Sequence, residues 1–255
     1  MTASVPPLAA DLTAGLRRLK LSAMRGLAPE LLVTAKTQRW APEELLRVLI
    51  DAEIASRDAS NARARYKSAN FPVTKRLEEF DVAVSSIPPG TFDYLGSLEW
   101  VRAAENPVLV GPAGTGKSHL LVALGHAAVD AGHRVRYFGA AELVDTLYRG
   151  LADNSVGRVI ETILRADYVI VDELGFAPLD DTGAQLLFRF VAAAYERRSI
   201  GIASHWPFEE WGRFLPEHTT AASMLDRLLH HAHVVVTKGD SYRMREAKNR
   251  RPRNA

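Results

Sequence analysis

The chain has 255 residues, of which 47% are hydrophobic and 24% are charged, and its formal net charge is +2. This composition is typical of a folded globular protein and excludes collagen-like, low-complexity and largely disordered classes. The sequence contains no cysteine, which excludes a disulfide framework, a cysteine-ligated zinc site and a cysteine nucleophile. Without a long apolar run or a basic segment followed by an apolar one near residue 1, we expect a cytoplasmic protein with no membrane span.

The basic residues are unevenly distributed along the chain. Residues 17–76 contain 13 Lys and Arg against 6 Asp and Glu, and residues 238–255 contain 7 against 2. Clusters such as Arg63, Arg65 and Lys67 suit a polyanion and are candidate DNA contacts. A solvated helix surface would give the same pattern, so charge alone leaves both interpretations open.

The first part of the chain predicts a small all-helical domain. Leucines recur at helical spacing, and Pro42 suits the first position of a long helix. Phe71-Pro72 should end this helical region, because the residue before proline disfavours helical backbone. We predict a helical DNA- or partner-binding domain over residues 1–68, a larger domain over 69–240 and a basic tail over 241–255.

After Asn106, short β-rich runs alternate with helical segments. The runs are PVLVGP, RVRYF, DYVIVDE, SIGIAS and AHVVVT. This alternation predicts an α/β fold with a parallel sheet between two layers of helices, and the apolar runs suit strands buried on both faces. Two helices, over residues 140–152 and 155–166, fit between the second and third runs.

A glycine-rich string fits the pattern G-x-x-x-x-G-K-[ST] at every fixed position, between an apolar strand and a helical run. In this pattern, main-chain N–H groups bind phosphates, Lys117 reaches the β- and γ-phosphates, and the Ser118 hydroxyl binds Mg²⁺. We predict a nucleotide site made of this string and the adjacent His119. The string comprises Gly111, Pro112, Ala113, Gly114, Thr115, Gly116, Lys117 and Ser118.

A strand that ends in two acidic residues supports the same site. The apolar run Tyr168–Val171 leads into Asp172 and Glu173, and the carboxyl ends of parallel strands share one edge of a sheet. Asp172 is therefore predicted to bind Mg²⁺ beside Ser118, and Glu173 to polarise an attacking water. A lone Asp-Glu pair is also common where a strand runs into an acidic turn.

The chain resembles the AAA+ ATPases and, within them, the IstB-like transposition helper proteins, which are related to DnaC-type helicase loaders. The strings that carry the resemblance are LKLSAMRGLAPELL, FPVTKRLEEFD, GPAGTGKSHL, VDELGFAPLDDTGAQLLFRFV, HWPFEEW, LDRLLHHAHVVV and GDSYRMRE. The resemblance implies a P-loop NTPase core with ATP and Mg²⁺ as cofactors. Only 18 residues follow Thr237, too few for the helical lid that many AAA+ proteins carry, so we expect no C-terminal lid domain.

The same resemblance implies an ATPase that oligomerises on double-stranded DNA, remodels it and activates the transposase encoded by the same element, with ATP hydrolysis driving release. A DnaC-like replicative helicase loader is the alternative. A nucleotide-gated scaffold without turnover is a further alternative.

Four more site residues follow from the resemblance. Arg227 resembles the arginine finger that related proteins present to a neighbouring subunit, although a plain surface arginine remains the alternative. Arg149 and Arg158 match a helix that contacts DNA in related proteins, or are ordinary solvated arginines. His205 stands where the family usually has asparagine, so we expect slow or pH-dependent hydrolysis.

His230, His231 and His233 form a histidine-rich string. Adjacent histidines on a helix point in different directions, and the string has no carboxylate beside it at ligand spacing. We therefore expect no metal site here.

Overall fold

The computed structural model describes residues 5–216, 218–239, 241, 242 and 244, without the side chains of residues 218–221. Most of the predicted basic tail, residues 241–255, lies outside this range. The chain divides into two compact units, one up to Ala64 and one from Arg65 onwards. Among the described residues, no helix combines the length and apolar character that crossing a membrane requires.

The first unit is helical and contains α1 (Ala10–Arg18), α2 (Ser22–Gln38) and most of α3 (Pro42–Ala69). As predicted, Pro42 begins α3, and acidic residues follow in its first turn, where the helix dipole favours them. The buried Glu53 carboxylate accepts the main-chain N–H groups of Ala23 and Met24 at 2.8 and 3.1 Å. This carboxylate therefore satisfies two free donors at the start of α2 and fixes α2 against α3.

The second unit alternates strands and helices, with short 3-10 helices at Leu77–Glu79 and Phe208–Arg213. Its strands are the five that the sequence predicts, and the two helices expected between the second and third strands lie at Ala140–Arg149 and Val156–Ile163. The elements are α4 (Pro89–Ser97), α5 (Glu99–Arg102), β1 (Asn106–Val110), α6 (Lys117–Asp130), β2 (Val135–Gly139), α7 (Ala140–Arg149), α8 (Val156–Ile163), β3 (Tyr168–Leu174), α9 (Asp181–Ala194), β4 (Ser199–Ser204), α10 (His218–His230) and β5 (Ala232–Val236).

The five strands form one parallel sheet in the order β2-β3-β4-β1-β5. This confirms the predicted parallel sheet. Because β1 lies between β4 and β5, the loop that follows β1 has the ends of both strands beside it. Asp172, on the third strand, pairs in register with Gly139 at the end of β2.

Alternate residues of the strands enter two separate apolar cores. Leu109 and Ile170 pack with α4, α5 and α6 on one face of the sheet. Val169 and Val171 pack with α7, α8, α9 and α10 on the other face. Strands covered on both faces explain the near-continuous apolar runs in the sequence.

Gly201 in β4 provides a test of packing in this sheet. A Cβ atom there would overlap the hydroxyl of the fully buried Tyr168 and lie 2.7 Å from its ring. Overpacking of a dense core costs about 1–3 kcal/mol. We expect Gly201→Ala to lower the free energy of unfolding by about this amount in urea titrations followed by circular dichroism.

Gly139→Ala is the matched control, because no atom lies within 4 Å of a Cβ built at that strand position. Adding Tyr168→Phe to Gly201→Ala removes the overlapping hydroxyl and should recover part of the loss. Equal effects of the two glycine substitutions would contradict the packing argument.

Candidate nucleotide-binding site

The predicted phosphate loop joins the end of β1 to the start of α6, with Pro112 and Ala113 exposed. Gly111, Gly114 and Gly116 have φ values of +141°, +82° and +96°. Residues with a Cβ rarely adopt such values, so the glycines allow the tight turn between β1 and α6. These φ values are consistent with the glycine-rich turn that the sequence predicts.

Lys117 begins α6 and bends back over the loop. Its Nζ donates hydrogen bonds to the carbonyl oxygens of Gly111 and Pro112, both at 2.6 Å, and the residue is only 8% exposed. The ammonium group thus lies against the loop that is expected to hold the phosphates. A single fixed positive charge at this position favours a polyanionic ligand.

The two predicted Mg²⁺ ligands are in direct contact. Ser118, in the first turn of α6, donates a hydrogen bond from Oγ to Oδ1 of Asp172 at 2.9 Å. Asp172 is 3% exposed, at the carboxyl end of β3. A hydroxyl and a carboxylate are oxygen ligands of the kind that Mg²⁺ prefers, so these residues fit the ion.

Glu173 follows Asp172 with an exposed side chain and a left-handed backbone, φ +59°. Its main-chain N–H donates to Asp172 Oδ1 at 2.8 Å, and the pairing of β3 with β4 is irregular between Val171 and Leu174. Left-handed backbone is costly for a residue with a Cβ, and such strain is concentrated at functional sites. The turn carries the Glu173 carboxylate out of the sheet beside Asp172.

His205 follows the last residue of β4, the strand that lies between β3 and β1. The Gly111 N–H donates to the Ser204 carbonyl at 3.1 Å, so the end of β4 is fixed to the start of the loop. The half-buried His205 ring lies 4.6 Å from that of Trp206. Burial lowers the pKa of His205 and the charge of Lys117 lowers it further, so this histidine is neutral at pH 7.

Tyr137 in β2 belongs to the site, although the sequence analysis did not identify it. Its hydroxyl donates a hydrogen bond to Oδ2 of Asp172 at 2.9 Å. Burial raises the pKa of Tyr137 well above its usual value, and the Asp172 charge raises it further, so the phenol stays protonated. The signal in the sequence was a tyrosine within the string RVRYF, in the strand that pairs with β3.

The chain after β5 lies on the phosphate loop, which was also not predicted. The buried Thr237 donates its N–H to the Val110 carbonyl at 2.8 Å, and its hydroxyl is 2.6 Å from that of Thr115. Further on, the Tyr242 N–H donates to the Gly114 carbonyl at 2.9 Å. The string GDSYRMRE that contributed to the family resemblance thus begins beside the loop.

His119 is half-buried behind the loop. Its ring meets that of Phe80 edge-on, with centroids 5.3 Å apart, and Phe80 also lies against Gly116. Burial lowers the pKa of His119. The ring contact with Phe80 does not test the predicted role of His119 in nucleotide binding, which stays a prediction.

Arg227 lies on α10 and is held there by contacts with α9 and with its own helix. Its Nη1 donates to the Ser223 carbonyl at 3.0 Å, and its guanidinium carbon lies 5.1 Å from the centre of the Phe188 ring. The side chain is half-buried. These contacts hold the guanidinium on the helical layer rather than on the phosphate loop.

The candidate DNA contacts lie on three helices. Arg149 ends α7 and Arg158 lies in α8, both with exposed side chains. Arg63 and Lys67 are exposed on α3, and Arg63 donates to the Ser60 hydroxyl at 3.0 Å. Arg65 is half-buried, with its Nε enclosed.

The histidine-rich string does have a neighbouring carboxylate, which corrects the sequence argument. Glu196 follows α9, and its Oε1 is 3.3 Å from Nε2 of His231. The ligand atoms of Glu196, His230 and His231, all exposed, lie within 4.8 Å of one another. His233 instead binds Glu105 at 2.6 Å.

Comparison with known proteins places the chain in a family. Residues 14–250 match the family described as IstB-like ATP binding protein. The chain is 36% identical over 232 residues to a protein from Pseudomonas aeruginosa described as an ATP-binding protein of insertion sequence IS21, covering 91% of this chain and 88% of that protein.

Two solved structures share the fold. DnaI matches with a TM-score of 0.55 and 16% identity, over 64% of this chain and 91% of its own. Replication initiator DnaA bound to AMPPCP and single-stranded DNA matches with a TM-score of 0.54 and 20% identity, over 68% of this chain and 53% of its own. The core is thus an AAA+ P-loop fold, and the chain belongs to the IstB-like ATP-binding proteins of insertion sequences.

Proposed function

We propose that this protein is a cytoplasmic ATPase that assembles on double-stranded DNA in its ATP-bound form, remodels that DNA and activates the transposase of its insertion sequence. The observation that carries the proposal is the convergence of Lys117, Ser118, Asp172 and Glu173 at one edge of the parallel sheet. Membership of an insertion-sequence family supports the transposase as partner.

Different residues of the site would bind ATP and promote its hydrolysis. The loop main chain and Lys117 hold the phosphates, while Ser118 and Asp172 would hold Mg²⁺. When bound with ATP, Mg²⁺ neutralises charge on the phosphate oxygens. The exposed Glu173 carboxylate would accept a hydrogen bond from water, and so orient and polarise it for attack on the γ-phosphate. His205, as a neutral donor, would bind the same phosphate from the end of β4.

Oligomerisation would complete the site through Arg227. In trans, its guanidinium would leave Ser223 and Phe188 for the γ-phosphate of the neighbouring subunit and offset the charge that develops there. ATP would then bridge two subunits, and its hydrolysis would release the assembly from DNA. Exposed cations such as Arg149 and Arg158 would contact the DNA phosphates in this assembly.

Nucleotide-dependent DNA binding gives the first prediction from this proposal. We expect the purified protein to bind duplex DNA at least about tenfold more tightly with ATP than with ADP or without nucleotide, and affinity to fall steeply with salt. Fluorescence anisotropy with double- and single-stranded oligonucleotides measures both effects. Lys117→Ala, which removes the phosphate-binding cation, should abolish the response to ATP.

Preference for single-stranded DNA in the same assay would contradict this proposal and favour a helicase loader. Duplex binding that does not respond to nucleotide would contradict the ATP-dependent assembly.

The second prediction concerns Arg227. An arginine finger contributes roughly a thousandfold to turnover, so Arg227→Ala should lower DNA-stimulated ATP hydrolysis by about that factor while ATP affinity changes little. Phosphate release and equilibrium binding of a fluorescent ATP analogue measure the two quantities. Arg102→Ala, at an exposed arginine in α5 on the other face of the sheet, is the control. Unchanged turnover in Arg227→Ala would show that the arginine has only a local structural role.

The third prediction concerns His205. Asparagine offers the same kind of donor with less bulk, so we expect His205→Asn to speed ATP hydrolysis or leave it unchanged. Because the lowered pKa keeps His205 neutral, the ratio of the two rates should stay constant from about pH 7 to about pH 8.5. A large loss of turnover would mean that the imidazole takes part in the chemistry.

A further inference from the structure

We infer that Tyr137 is a positioning residue that fixes the Asp172 carboxylate for Mg²⁺-dependent nucleotide binding, an inference that rests on the nucleotide site proposed above. The Tyr137 hydroxyl donates to Oδ2 at 2.9 Å. The other carboxylate oxygen, Oδ1, accepts Ser118 Oγ at 2.9 Å and the Glu173 N–H at 2.8 Å. Donors on three different elements, β2, α6 and β3, therefore fix both oxygens of one buried carboxylate.

The strand register explains how Tyr137 reaches Asp172. In the parallel pair, Tyr137 lies opposite Ile170, and Gly139 lies opposite Asp172. Residues two apart on a strand share a face, so Tyr137, Ile170 and Asp172 all face the α6 side of the sheet. Gly139 has no side chain to fill the position directly beside Asp172, and the phenol extends diagonally to the carboxylate.

The chemistry of a phenol suits this role. The terminal torsion of an aspartate is broad, so an isolated carboxylate samples many orientations. A tyrosine hydroxyl fixes the plane of the carboxylate and remains neutral, whereas a lysine or arginine would cancel the charge that attracts the cation. Ser118 is expected to turn its oxygen towards the ion. Tyr137 and the Glu173 main chain are then the donors whose hydrogen bonds to Asp172 do not depend on the ion.

The test measures how ATP affinity depends on Mg²⁺, without reference to DNA or turnover. Partners that orient metal ligands typically contribute 10- to 100-fold to metal affinity. We expect Tyr137→Phe to raise the Mg²⁺ concentration for half-maximal enhancement of ATP binding by about tenfold. ATP affinity in excess EDTA should be unchanged, because the loop and Lys117 remain intact.

Tyr94→Phe is the matched control. Tyr94 is half-buried like Tyr137, and its hydroxyl donates to a carboxylate, Glu105 Oε2, at 2.7 Å. This substitution removes the same kind of hydrogen bond and should leave the Mg²⁺ dependence unchanged. In an Asp172→Asn background, Tyr137→Phe should cause no further change in Mg²⁺ dependence, since the carboxylate it positions is absent.

Three results would overturn the inference. An unchanged Mg²⁺ dependence in Tyr137→Phe would show that the hydroxyl does not position the carboxylate. Equal losses of ATP affinity with and without Mg²⁺ would show that the tyrosine only supports packing. A wild-type protein whose ATP affinity does not respond to Mg²⁺ would contradict the ion site as a whole. Failure to assemble on DNA, by contrast, would contradict the proposed function and leave the role of Tyr137 standing.

Discussion

The buried carboxylate of Asp172 is the constraint around which the site is built. A carboxylate that is 3% exposed is costly unless hydrogen bonds satisfy its oxygens. Ser118 on α6, Tyr137 on β2 and the Glu173 main chain on β3 supply these bonds. The Ser118 bond also holds the start of α6 against β3, so the loop before α6 has one fixed end.

The other constraints on the loop come from the neighbours of β1 in the sheet. The Ser204 carbonyl on β4 accepts the Gly111 N–H, and Thr237 after β5 bonds to Val110 and Thr115. The strand order thus surrounds the phosphate loop with main-chain and hydroxyl partners on both sides. A loop preorganised in this way loses less conformational entropy when it binds a nucleotide.

Much of this arrangement could be predicted from the sequence, because its signals are local. The five strands, the loop glycines and the Asp172-Glu173 pair each lie within a few consecutive residues. Tyr137 and Thr237 were missed because their roles arise only from register and strand order, which bring residues 35 and 122 positions apart into contact. The carboxylate beside the histidines was missed for the same reason, since Glu196 lies 35 residues before His231 in the sequence.

The position of Arg227 has an energetic consequence. A guanidinium over an aromatic ring at a partly exposed position gains about 0.5–1 kcal/mol, and its hydrogen bond to the Ser223 carbonyl adds an amount of similar size. These contacts restrict the side chain to few rotamers, yet they are weak beside a charge-assisted bond to phosphate. Phe188 and the Ser223 carbonyl therefore order the Arg227 side chain at a small free energy, so a stronger anionic partner could displace these contacts at small cost.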